Sequence, residues 1–189
     1  LFIERVSRGE PVTLQWYGGE PLYNMAAIDT IIHDLKERKL EFRSTMISNG
    51  YLFDESLVRK AKDEWKLERV QITLDGTENV YNRAKAYIYR EGSAYRRVIK
   101  NIGLLLDAGI YVPVRLNMDK NNADDLNILA DELSARFGGS PNIHVYAALL
   151  CDYGNNRVNT FEEKKDALEH YRELSAKLDR LQLSKIKPV

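Results

Sequence analysis

Cysteine is almost missing from this chain: of 189 residues, only Cys151 carries a thiol. A lone cysteine excludes an intramolecular disulfide framework and suits the reducing cytoplasm, the expected location. Its own role is read as that of a free thiol past the last strand. An excess of one charge is missing too. Lys and Arg total 28, Asp and Glu total 28, and the net charge is zero, so the basic footprint of a nucleic-acid binder is absent. No apolar run approaches the roughly 20 residues of a membrane span. The three histidines, His33, His144 and His170, form no metal set; His33 and His170 fall among charged residues on helices. There is no Pro/Ser-rich linker and no low-complexity tract, so residues 1–189 are expected to form a single domain. The chain opens on Leu1-Phe2-Ile3 without a Met and stops on KIKPV after an amphipathic helix. It is therefore expected to be a segment of a longer protein.

What is present is a globular composition, 44% hydrophobic and 30% charged, organised as five repeated units. Each unit has a short β-rich run, a polar or glycine-containing loop and an amphipathic helix. The runs are VTLQWY (12–17), FRSTMIS (42–48), RVQITL (69–74), YVPVRLN (111–117) and NIHVYAA (142–148). The helices carry apolar stripes at spacings of three and four: Ile28, Ile31, Ile32, Leu35; Leu57, Val58, Ala61, Trp65; Val98, Ile102, Leu105, Leu106; Leu126, Leu129, Leu133, Phe137. The fifth opens on a Thr160–Glu163 capping box and continues through Leu168, Tyr171, Ser175 and Leu178. Alternation of this kind implies βαβ units and a parallel sheet. The strand spacing of about thirty residues suits a (β/α) barrel, which spends roughly 31 residues per unit, and also fits a doubly wound sheet.

The strands themselves alternate. Val70, Ile72 and Leu74 alternate with Gln71, Thr73 and Asp75; Val112, Val114 and Leu116 alternate with Pro113, Arg115 and Asn117; His144 and Tyr146 alternate with Ile143 and Val145. A parallel sheet buried on both faces would read as continuous apolar runs. Burying so many unpaired polar groups would cost several kcal/mol each. The pattern therefore calls for an open, ligand-accessible lumen or for a one-sided sheet with its polar face in solvent.

The loops after the strands all fall on one edge of a parallel sheet, where ligands of such folds bind. They read GGEP, SNG, LDGT, NMDKNN and LLCDYG. In the first, WYGGEPL, the glycines permit positive φ and leave space for a ligand beside their backbone, while Pro21 biases Glu20 toward extended geometry.

Taken in order, WYGGEPL, ISNGY, VQITLDGTENVYNRAKAY and SAYRRVIKNIGLLLDAGIYVPVRLNMDKNN resemble the motifs of radical S-adenosylmethionine (SAM) enzymes, from about Val12 to Ala148. The nearest group is the SPASM-type set of peptide- and protein-modifying enzymes, including the sulfatase-maturating ones. The resemblance implies an α/β fold, a partial, open TIM-like (β/α) barrel lacking its N-terminal strand. It implies a parent enzyme that reduces SAM through a 4Fe–4S cluster and abstracts hydrogen with a 5′-deoxyadenosyl radical, plausibly from a peptide or protein. Gly18, Gly19 and Glu20 would receive the SAM ammonium. Asn49 belongs to the second motif, and Thr73 and Asp75 to the third, Thr73 near the ribose and methionyl group. Arg83 or Lys85 would meet the SAM carboxylate. Asn117 and the backbone at Leu149 and Leu150 would lie near the adenine. Tyr81 departs from the family's frequent histidine.

The cluster needs several thiolates, which Cys151 cannot supply, so no metal site and no tightly bound cofactor is expected in this chain alone. The absent strand leaves a sheet edge that invites association with a second copy. The alternative is a non-catalytic βα ligand-binding or interaction module, in which GGEP is a connector.

Overall fold

The computed structural model describes residues 10–85, 92–150 and 164–185. The elements run β1 (Val12–Trp16), a 3-10 turn (Pro21–Asn24), α1 (Met25–Glu37), β2 (Phe42–Ser48), α2 (Glu55–Asp63), β3 (Leu67–Leu74), α3 (Glu78–Lys85), α4 (Ala94–Asp107), β4 (Val112–Met118), α5 (Ala123–Phe137), β5 (Ile143–Leu149) and α6 (Lys164–Arg180). Cys151 and the Thr160–Glu163 cap lie outside the described residues.

The five strands form one sheet in the order β1-β2-β3-β4-β5, and every neighbouring pair is parallel. The strand faces divide as the alternation requires. Val70, Ile72 and Leu74 with Val112, Val114 and Leu116 are fully buried, while Gln71, Thr73, Arg115, Asn117, His144 and Tyr146 on the other face are half-buried. The buried residues of all six helices join the apolar strand face in one core cluster. The helices therefore cover a single face, which excludes the doubly wound arrangement and leaves an open partial barrel with a polar concave side.

Local chemistry explains most boundaries. Asn24, Asp54 and Ser93 cap α1, α2 and α4 by accepting from Ala27 N, Leu57 N and Arg96 N at 3.2, 2.8 and 3.2 Å. Gly109, at φ 74°, follows α4 in the left-handed conformation common after a helix. At the turn between α2 and β3, Trp65 is fully buried, and its Nε1 donates to Asp29 on α1 at 2.7 Å.

Two expectations need correcting. The third unit, expected to hold one helix, has a second: α3 at Glu78–Lys85, a helix with no apolar stripe, held by the single buried side chain of Tyr81. Leu168 is 45% exposed, and α6 faces the core through Leu178, as its stripe requires, and through Leu174, which the stripe left out.

The two sheet edges differ. Val145 N on the outer edge of β5 donates to Leu183 O at 2.8 Å. Among the described residues, nothing pairs with the outer edge of β1.

Candidate functional site

The turn after β1 is built around Glu20. Pro21 opens the 3-10 turn, and Glu20, extended at φ −140°, caps it by accepting from Leu22 N at 3.2 Å. The same carboxylate reaches the tip of β2. Asn49 N donates to Oε2 at 2.8 Å, and the Ser48 hydroxyl lies 3.0 and 3.2 Å from the two oxygens. Gly18 takes φ 148°, and a Cβ at Gly18 or Gly19 would meet nothing within 4 Å, so backbone on open space leads into the anchored carboxylate. Its bonds thus tie the turn after β1 to the tip of β2, the strand next to the one that carries Thr73.

The Ser48-Asn49-Gly50 turn that supports Glu20 is itself packed. Ser48 Oγ accepts from Gly50 N at 3.0 Å and Asn49 Oδ1 from Tyr51 N at 2.9 Å. Gly50 sits at φ 77°, where a Cβ would come within 3.0 Å of Ile72 Cδ1. Asn101, buried on α4, donates to Gly50 O at 2.8 Å and Tyr51 O at 3.2 Å. Removing that amide leaves two carbonyls without their donor, so Asn101→Ala is expected to cost about 1–3 kcal/mol in a urea titration.

A second polar centre joins the ends of β3 and β4. Asp75 accepts from Asn117 Nδ2 at 3.0 Å through Oδ1 and pairs with Lys85 Nζ at 2.9 Å through Oδ2. Asn122 donates to Asp75 O at 2.9 Å and Asn117 O at 2.8 Å, closing the two strand ends together. Beside it, Asp125 on α5 accepts from Thr77 N and Thr77 Oγ1 at 2.6 and 2.7 Å. Gly76 fits under this contact because a Cβ there would also come within 2.6 Å of Val80 Cγ1.

Deeper in the lumen, Thr73, Arg115 and Tyr146 share one register row across β3, β4 and β5. Tyr146 OH donates to Gln71 Oε1 at 3.0 Å, and its ring stacks on His144 at 5.5 Å. Burial holds the His144 imidazole below its ordinary 6.5, outweighing the backbone of Ser184 and Lys185, which pulls it up. The unfolded chain therefore binds the proton more readily, and stability falls as the pH drops below 6.5 toward the native value. Urea midpoints are expected to be higher at pH 7.5 than at pH 5.5, with His144→Gln flattening the difference.

Of the residues picked from the sequence, Glu20 and Asn49 meet at the tips of β1 and β2. Asp75, Lys85 and Asn117 meet at the tips of β3 and β4, and Thr73 lies between the two groups. Gly18 and Gly19 border the first group, whereas Arg83 is exposed on α3. Sequence reasoning missed Ser48, Asn101, Asn122 and Asp125 as the groups that hold these centres. Asn101 had a signal, a polar residue inside an otherwise apolar helix stripe.

The residues present do not fit an iron–sulfur cluster. The chain has one cysteine, and no group of three or more His, Cys, Asp or Glu among the described residues could hold a metal ion. They do fit a polar ligand at the strand edge: Arg115 Nε and Asn117 Oδ1 are buried on the lumen side without hydrogen-bond partners. No helix among the described residues is long and apolar enough to cross a membrane.

Comparison with solved structures shows the same fold. The structure of anSMEcpe with bound AdoMet superposes with a TM-score of 0.74 at 15% identity, covering 98% of this chain and 51% of that one. Streptococcus suis SuiB bound to S-adenosylmethionine gives 0.61 at 16% identity, covering 95% and 39%. SuiB bound to the precursor peptide SuiA gives 0.62 at 15% identity, again covering 95% and 39%. The chain thus spans about half or less of the structures it matches. No curated protein sequence matches it. The sequence model of the radical SAM superfamily matches residues 2–133, more than two thirds of the chain. With the parallel, one-sided sheet and the polar strand edge, that match places the chain in the radical SAM superfamily.

Proposed function

We propose that this chain is the SAM-binding core of a radical SAM enzyme acting on a peptide or protein, and that the cluster thiolates belong to a part of the polypeptide outside these 189 residues. The observation that carries the reading is the anchored Glu20, held by Ser48 and Asn49 at the strand edge behind two glycines with open space around them. Bound SAM supplies, on reduction, the hydrogen-abstracting chemistry of the superfamily. The chain's own share is to bind and orient it. Glu20 offers negative charge to the ammonium, and the glycine backbone offers carbonyls without intervening side chains. Thr73 and Asn117 line the path from that point across β3 to β4. Asp75 already neutralises Lys85, so its ammonium contributes to positioning Asn117 through the carboxylate they share. The peptide substrate is supported by neighbours such as SuiB, whose structure contains its precursor peptide.

One observation favours a second reading. Both oxygens of Glu20 already accept from Leu22, Ser48 and Asn49, as they would in a turn that only ties β1 to β2. In that case the chain is a ligand-binding or interaction module. Anaerobic calorimetry separates the two. SAM is expected to bind this chain weakly and to bind a longer protein carrying three clustered cysteines tightly. Absence of any SAM binding to the longer protein would leave the module.

A further inference from the structure

Arg115 is the least explained side chain in the lumen. It projects from β4 on the polar face, between Thr73 and Tyr146 in the same register row. Its Nε is buried without a hydrogen-bond partner, and no carboxylate among the described residues pairs with it. The acidic groups of the strand edge are engaged elsewhere, Glu20 by Ser48 and Asn49, Asp75 by Asn117 and Lys85, Asp119 by Asn121 N and Asp125 by Thr77. The remaining neighbours are uncharged: Tyr146 is bonded to Gln71, and burial disfavours a charge on His144. A half-buried guanidinium without a counter-ion is costly, and the cost is removed when an anion arrives. Arginine's planar fork also suits a carboxylate better than a point charge would.

We propose that Arg115 is the anion anchor of the lumen, its guanidinium receiving a carboxylate of the molecule bound there. The identity of that molecule rests on the function proposed above. The carboxylate belongs either to the methionyl end of SAM or to an acidic residue of a peptide substrate, and the two are separable.

The test is thermal denaturation of the wild-type chain, Arg115→Met and Arg115→Lys, alone and with millimolar probes. The probes are SAM, decarboxylated SAM, and the capped tripeptides Ala-Glu-Ala and Ala-Gln-Ala. Without a probe, Arg115→Met is expected to melt at or above the wild type, since it orphans no partner. In one pair of probes, the carboxylate-bearing member should stabilise the wild type more than its counterpart does. That difference should vanish in Arg115→Met and return in part in Arg115→Lys, the loss amounting to about ten-fold or more in affinity. A difference within the SAM pair assigns the carboxylate to the cofactor; a difference within the peptide pair assigns it to the substrate. A ligand-free Arg115→Met that melts several degrees below the wild type, or fails to fold, would make Arg115 a structural residue and overturn the proposal. Equal responses of wild type and Arg115→Met to every probe would overturn it as well. A wild type that ignores both SAM probes yet distinguishes the peptides assigns the carboxylate to the substrate and leaves the anchor standing, while the SAM reading is decided separately by the longer protein.

Discussion

Glu20→Gln in the longer, cluster-bearing protein is expected to weaken SAM binding about ten-fold to a hundred-fold while leaving the fold intact. The substitution keeps the shape of the side chain. Its amide oxygen can still accept from Asn49 N, and its amide nitrogen can donate to Ser48 Oγ, because that hydroxyl rotates to suit; only Leu22 N, at 3.2 Å, loses its acceptor. What disappears is the negative charge opposite the ligand ammonium, and a charge-assisted bond of this kind contributes about 1.5–3 kcal/mol. Glu20→Ala should lose the affinity and also loosen the β1–β2 junction, since Asn49 N would lose its acceptor. Anaerobic calorimetry read beside urea denaturation distinguishes the two effects. Wild-type affinity in Glu20→Gln would mean that the turn is a connector.

The largest expected loss of stability lies far from the lumen. Trp65→Ala should cost about 3–5 kcal/mol, the usual range for deleting a large buried aromatic, and lower the melting temperature by roughly 10 °C. Two effects combine. The fully buried indole leaves a cavity between α2 and β3, and Asp29 loses the Nε1 donor at 2.7 Å. Lys60 stays bonded to the other Asp29 oxygen at 2.7 Å, with its ammonium 5.5 Å from the Trp65 ring centre. Burial pushes the Asp29 carboxyl upward, but the bonds from Lys60 and Trp65 outweigh it and hold the group below 3.8. Its contribution to stability is therefore present above that pH and is lost as the pH falls through the lower native value. Trp65→Phe, which keeps most of the volume and removes only the donor, should cost much less and move the acid transition to higher pH. Equal melting temperatures for Trp65→Ala and Trp65→Phe would assign the whole effect to the hydrogen bond.

The strands and their faces were legible because alternation is a local property: Gln71 and Thr73 fall between Val70, Ile72 and Leu74 whatever surrounds them. The helix α3 was not legible. Its one buried side chain, Tyr81, makes no stripe, and its opening residues read as turn formers. At the site, composition located the turn at Gly18-Gly19-Glu20 but not the strand that Glu20 bonds, because Ser48 lies 28 residues away. The same holds for Asp125, which holds Thr77 across 48 residues. Polar side chains that join strand ends acquire their roles only when the sheet forms. The pairing of Lys85 rather than Arg83 had the same character: both sit on one short helix, and only the position of Asp75 decides which of them it bonds.

The unequal edges of the sheet bear on stoichiometry. An unpaired strand is a template for another chain, but a ladder grows without limit only if each added copy offers a second free edge. Here the far side is closed at Val145 by Leu183. If the edge of β1 that is free among the described residues stays free, copies that meet through it stop at two, joined by a twofold axis across antiparallel β1 strands. Rising concentration should then take sedimentation from one mass to its double and no further, a ceiling set by a single backbone bond on the opposite edge.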